Sequence, residues 1–118
     1  MASAAPEPEI ERLYHFPLLH NDEEETDKAM EVLRGALGED NVTLKPPVMG
    51  SEDFGLLPDA IGVPGVYWFF GGMSQETVDS EEPTPSNHSP FFGPVMEPTL
   101  STGTAAAYEV LMARLRKA

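Results

Sequence analysis

"GVPGVYWFFGG", residues 62–72, is the stretch on which the fold turns. Its centre, Val66 through Phe70, is apolar without interruption and is bounded by glycines. A half-buried strand alternates apolar and polar positions, whereas a short continuous apolar run suits a strand covered on both faces. The run is far too short to span a bilayer. It is therefore read as a central strand over residues 66–70, and the flanking segments are read for its neighbours and for helices to cover it.

Upstream, "HNDEEETDKAMEVLRGALGED" (20–40) predicts a helix over 24–37. Asn21 or Asp22 serves as N-cap, and the acids of the first turn suit the positive end of the helix dipole. Ala29, Met30, Leu33, Ala36 and Leu37 form one apolar stripe, and Gly38 is placed to end the helix. Downstream, "EPTLSTGTAAAYEVLMARLRKA" (97–118) predicts a helix over 99–115. Its apolar stripe is Leu100, Thr104, Tyr108, Leu111 and Leu115, with Arg114, Arg116 and Lys117 near its negative end.

The remaining segments are weaker. "IERLYHFPLL" (10–19) suits a short extended segment and "NVTLKP" (41–46) a short strand stopped by Pro46 and Pro47. "MGSEDFGLLPDAIG" (49–62) predicts a short helix with Ser51 as N-cap, curtailed by Gly55 and Pro58. "MSQETVDSEEPTPS" (73–86) reads as a loop, and "MASAAPEPE" (1–9) as a flexible leader. The order of elements implies an α/β fold, with helices packed on a small sheet. Two or three strands are few for a run as apolar as 66–70, and the chain reads like half of something.

Composition narrows the function. In 118 residues, seven Lys plus Arg face twenty Asp plus Glu, a net charge of −13. Such a surface repels phosphate backbones and anionic headgroups, so neither nucleic acid nor membranes are expected partners. With no cysteine there are no disulfides, thiolate metal sites or cysteine nucleophiles, which suits a cytoplasmic location. The N-terminus lacks the basic start and apolar run of a secretory signal.

Three places could carry chemistry. In "PTPSNHSPFF" (83–92), His88 sits in a proline-bracketed loop, where a neutral imidazole could ligate a metal. The plain alternative is a loop histidine bonded to backbone. In "GSEDF" (50–54), Glu52 and Asp53 could bind a cation, orient a histidine or act as acid and base, or simply favour a helix start. In "FFGG" (69–72), Gly71 and Gly72 end the apolar run where ligands of α/β sheets approach backbone amides, or else make a tight turn. His20, beside the acids of the first helix, suits a solvated helix start. HxH, HExxH, GxSxG and phosphate-loop patterns are absent.

In order, "VMGSEDFG", "GVPGVYWFFGG" and "PSNHSPFFGPVMEPTLSTGTAAAYEVL" resemble the C-terminal end of the zinc-dependent amidohydrolases and peptidases. That group includes aminoacylases, hippurate hydrolases and hydrolases of indole-acetyl-amino-acid conjugates. The resemblance covers residues 10–116 and implies that 10–118 is the C-terminal portion of the catalytic domain. It implies a divalent metal, zinc first, with His88 closing a dinuclear site. It sets Ser51, Glu52, Gly71, Gly72 and Asn87 behind the ligands or on the substrate side. The substrate implied is an N-acyl amino acid. The family's other ligands and its general base lie in an N-terminal half that this sequence does not match. The chain alone is therefore expected to be inactive, with that half, or a second copy at an open sheet edge, as its partner. The other reading is a non-catalytic acidic binding or regulatory module derived from such an enzyme.

Overall fold

The computed structural model describes residues 7–116. Four helices follow in order: α1 (Glu23–Leu37), continued by a 3-10 turn (Glu39–Asn41), then α2 (Leu56–Ile61), α3 (Gln75–Asp79) and α4 (Thr99–Leu115). The expected α/β fold is not what forms. Among the described residues there is no strand, and hence no small sheet for helices to pack on. The expected leader, residues 1–9, lies mostly outside the described residues, as does Lys117.

α1 starts where its cap dictates. Asp22 accepts from the Glu25 N–H at 2.9 Å, and three glutamates fill the first turn. Gly38 ends the helix at φ 95°, a left-handed value that a side chain would strain. α1 and α4 are the two helices that pack together; α2 and α3 pack on no other helix. Glu25 of α1 pairs with Arg114 of α4, so α1 begins where α4 ends. Each of the two helices contributes to the small buried core. Ala29, Leu33 and Ala106 are the buried apolar side chains, at 4%, 6% and 2% exposure.

The apolar stripe expected to bury α4 faces the other way. Leu100, Thr104, Tyr108, Leu111 and Leu115 are exposed. The covered side is marked by Ala106, about half a turn round the helix from that stripe. Gly103 lies between the two and takes the Phe70 ring, and the larger stripe is left without a cover.

The expected central strand over residues 66–70 does not form, and residues 63–72 run as a ribbon without regular structure. The physical reason is that strands exist only in pairs, and among the described residues no other segment bonds to this one at more than a residue or two. The ribbon is nevertheless held in place. The Asp22 N–H donates to the Gly65 carbonyl at 3.0 Å. The Asn21 side chain accepts from the Tyr67 N–H and donates to the Tyr67 carbonyl, both at 2.8 Å. One amide side chain thus does for Tyr67 what a neighbouring strand would do.

Other local expectations change in the same direction. Residues 41–46 form no strand, although Lys45 lies over the Phe69 ring at 4.8 Å. Ser51 caps nothing: α2 begins five residues later, after Gly55, and has no side-chain cap. The loop over 73–86 contains α3, capped by Ser74, which accepts from the Thr77 N–H at 3.1 Å.

The chain is drawn out. Its radius of gyration is 20.1 Å, against roughly 13.5 Å for a compact domain of this length. Large apolar side chains stand in solvent along its length, from Ile10 and Leu13 to Phe91 and Leu115.

Candidate functional site

The chemistry-bearing residues gather around the two ends of the ribbon. At its carboxyl end, the Gly72 carbonyl accepts from the Val95 N–H at 2.9 Å. A Cβ at Gly72 would stand 3.2 Å from Pro94 Cβ and 4.0 Å from Thr99 Cγ2, so glycine lets the 94–95 arm close on the ribbon. Gly71 beside it is exposed, with open space where a Cβ would be. One step earlier, Phe70 lies against α4, where a Cβ on Gly103 would meet its ring at 2.9 Å. The end of the ribbon is thus fixed between the start of α4 and the arm leading away from His88.

His88 itself sits in the first of two consecutive turns. The Ser89 N–H donates to the Ser86 carbonyl at 2.9 Å, placing Asn87 and His88 at the two central positions. The Phe92 N–H then donates to the Ser89 carbonyl at 3.1 Å, with Pro90 at the first central position of the second turn. Proline's fixed φ favours that position, and Ser89 Oγ adds a bond from the Phe91 N–H at 3.2 Å. The proline-bracketed loop is therefore defined by local chemistry, and it presents Asn87 and His88 to solvent.

At the other end, Glu52 is half-buried and accepts from the Phe54 N–H at 2.9 Å. That bond, together with the Tyr67 hydroxyl beside it, holds the Glu52 carboxyl below the usual carboxylate range. The same carboxylate pushes the Tyr67 phenol up from its ordinary value. The Tyr67 ring stacks at 5.2 Å from Phe54 and at 5.1 Å from Phe69. Asp53 is exposed, with its carbonyl accepting from the Leu56 N–H, and Ser51 is exposed beside it.

The ribbon thus joins Glu52 at Tyr67 to the His88 arm at Gly72, with Asn21 fixing Tyr67 between them. Among the described residues, no group of three or more His, Asp or Glu side chains is placed to hold a metal ion. His88 with its turn does not by itself fit a divalent-metal site, which needs three protein ligands or more. His20 lines a cleft of about 230 Å³ with Asp22, Asp59 and Gly65, away from these turns in sequence; Asp22 there is the cap of α1.

Sequence reasoning missed Asn21 and Tyr67. Asn21 and Asp22 stand as alternative caps for α1, and a helix takes one. The spare Asn side chain was the signal, since its donor and acceptor both need partners when half-buried. Tyr67 was hidden inside an apolar run, where its hydroxyl counted only as bulk.

No helix among the described residues is long and apolar enough to cross a membrane. The family model described as Peptidase family M20/M25/M40 matches the chain over residues 7–113. No solved structure matches it.

Proposed function

Since this chain belongs to peptidase family M20/M25/M40, we propose that it is the C-terminal portion of the catalytic domain of a metal-dependent hydrolase, spanning residues 10–118. Its substrates in the intact enzyme are N-acyl amino acids or similar conjugates, cleaved at the amide bond, and zinc is the metal. The observation that carries the reading is the family match, which runs through the Glu52 segment, the ribbon and the His88 turns alike.

In this reading His88 supplies one imidazole to a divalent-metal site whose other ligands come from outside the chain. The tandem turns support that role. They hold the backbone on either side of His88 by local bonds and leave its imidazole exposed to an incoming metal site. Asn87 occupies the neighbouring turn position. Gly71 and Gly72 leave the carboxyl end of the ribbon open to a substrate, with Gly71 bare and Gly72 held by Val95. Glu52, kept as a carboxylate by the Phe54 N–H and Tyr67, is available to orient a ligand or a substrate donor from the far end of the ribbon. Ser51 stands exposed beside it. The protein works in the cytoplasm.

The test is complementation. The chain alone should not hydrolyse N-acyl amino acids, because no general base and no complete ligand set is in place. Mixed with the separately expressed N-terminal half of a catalytic domain of this family, it should restore metal-dependent amidase activity. His88→Ala should abolish that activity while leaving the chain's helical circular dichroism and unfolding midpoint unchanged, since an exposed turn residue supports no core. Restored activity that survives His88→Ala would remove His88 from the site.

A further inference from the structure

Between Ser74 and Ser89 the chain is rich in hydroxyls and acids, and from Pro46 to Ala113 it carries no lysine or arginine. Two hydroxyl residues stand directly before a proline, Thr84 before Pro85 and Ser89 before Pro90. As sequence the two pairs are equivalent. The structure separates them.

Ser89 is committed to its turns. Its N–H donates to the Ser86 carbonyl, its carbonyl accepts from the Phe92 N–H, and its Oγ accepts from the Phe91 N–H at 3.2 Å. It is half-buried, and all three bonds must break before it can lie extended in the cleft of another protein. The hydroxyls further upstream are engaged too. Ser74 caps α3 and shares a hydrogen bond with Thr77 at 2.8 Å, and Ser80 donates to the Thr77 carbonyl at 2.9 Å. Ser86 gives its carbonyl to the first turn and is followed by Asn87 rather than proline.

Thr84 differs on each count. It is exposed and lies in a stretch with no helix or turn. Among the described residues its hydroxyl makes no hydrogen bond, and neither does the backbone of residues 83–85. The proline after it biases Thr84 toward extended backbone and leaves no N–H at the next position to satisfy. Pro85 is half-buried, yet no bond holds the pair down, so lifting it into a cleft costs little.

We propose that Thr84 is a phosphoacceptor for a proline-directed serine/threonine kinase. A kinase that reads lysine or arginine beside its target finds none here, whereas Pro85 occupies the adjacent position. Thr84 Oγ1 bonds to the γ-phosphorus of ATP as the bond from that phosphorus to the β–γ bridging oxygen breaks. ADP leaves, and the hydroxyl proton passes to the catalytic aspartate of the kinase. The product carries an added charge of about −1.5 to −2 at neutral pH. With Asp79, Glu81 and Glu82 nearby in sequence and no Lys or Arg in the stretch, nothing local in sequence neutralises it. The modification enters the chain just ahead of the turn that carries His88. The assignment of Thr84 does not rest on the function proposed above.

The experiment incubates the full chain with a purified proline-directed kinase and labelled Mg-ATP, and maps the phosphate by peptide mass spectrometry. One phosphate should appear, on Thr84. Thr84→Ala should lose the label and Thr84→Ser should keep it, which separates a missing acceptor from a disturbed loop. Pro85→Ala should lose most of the labelling rate, and Ser89→Ala should be labelled like the parent. Absence of label, label on Ser89 or Ser86, full label in Thr84→Ala or undiminished rate in Pro85→Ala would each overturn the proposal. No amidase assay enters, so the hydrolase reading stands or falls separately.

Discussion

The pair formed by α1 and α4 and the ribbon over residues 63–72 meet at Gly103 and Phe70, yet they are built on different terms. The helix pair satisfies its backbone internally, carries a cap and a stop on α1, and is tied by Glu25 and Arg114. The ribbon has scattered bonds at Val63, Gly65, Tyr67 and Gly72, aromatic side chains half in water and no ladder. Helical hydrogen bonds are local and close within the segment. Strand bonds must be found elsewhere, and here one is found in a side chain. A helix pair can therefore form here where a sheet does not. Of the residues proposed for chemistry, Gly71 and Gly72 lie on the ribbon, Glu52 adjoins it at Tyr67, and His88 sits in the loop whose continuation bonds Gly72 through Val95.

The largest effect should come from breaking the self-sufficient half. Leu33 is the largest of the buried side chains, and its truncation leaves α1 and α4 with little apolar contact. Leu33→Ala should cost about 2–3 kcal/mol and greatly lower helical ellipticity at room temperature. Circular dichroism checks it. Undiminished ellipticity would show that α1 stands without α4, and the contrast between the two regions would lose its basis.

Gly103→Val tests the joint between them. A Cβ there already meets the Phe70 ring at 2.9 Å, and a branched side chain adds bulk at the same point. The expected cost is about 1–3 kcal/mol, spent on displacing Phe70 rather than on unwinding α4. Fluorescence of the single tryptophan, Trp68, should change while helical ellipticity holds. Equal loss of both signals would mean that helix and ribbon unfold as one unit.

Asn21→Ala sharpens the contrast from the ribbon's side. It removes both bonds to Tyr67, half-buried, for a net cost of about 1–2 kcal/mol. Asn21→Asp keeps an acceptor for the Tyr67 N–H but loses the donor to its carbonyl, so it should fall between parent and alanine. Hydrogen exchange at Tyr67 reads the difference directly. α1 should persist in both variants, since its cap is the neighbouring Asp22.

The same division explains what could be read from the residues. α1 was legible because its cap, acidic first turn and terminating glycine are all local, and each does what its chemistry suggests. The length of α4 was legible for the same reason. Its buried face was not: hydropathy selects the large residues, whereas Ala106 is the side chain that is buried and Gly103 takes the Phe70 ring. Neither the central strand over residues 66–70 nor the small sheet was there to be found, because a ladder depends on distant segments that the described residues do not bring alongside. His88 was singled out by its prolines, and its turns follow from Pro90 and the flanking serines. Asn21 and Tyr67 were missed because their roles arise from a contact forty-six residues apart.

The smallest expected effect concerns Glu52 and Tyr67, and its sign follows from their shifts. Glu52 is lowered from 4.5 by the Phe54 N–H first and then the Tyr67 hydroxyl. A lowered carboxyl stabilises the folded ribbon above about pH 4.5, and this contribution disappears as pH falls through the folded value. Tyr67 is raised from 10.0, first by its hydrogen bond with Glu52. That contribution is present below pH 10 and is lost as pH climbs through the raised value. Between these limits the ribbon should hold steady. In an ultraviolet titration the Tyr67 phenolate should appear above pH 10.0. In Glu52→Gln the neutral amide no longer opposes a phenolate, so that step should move back toward 10.0, and the acid-side change in Trp68 fluorescence should flatten. Identical phenolate titrations for parent and variant would separate Glu52 from Tyr67 and leave the carboxylate tied to the ribbon only through Phe54.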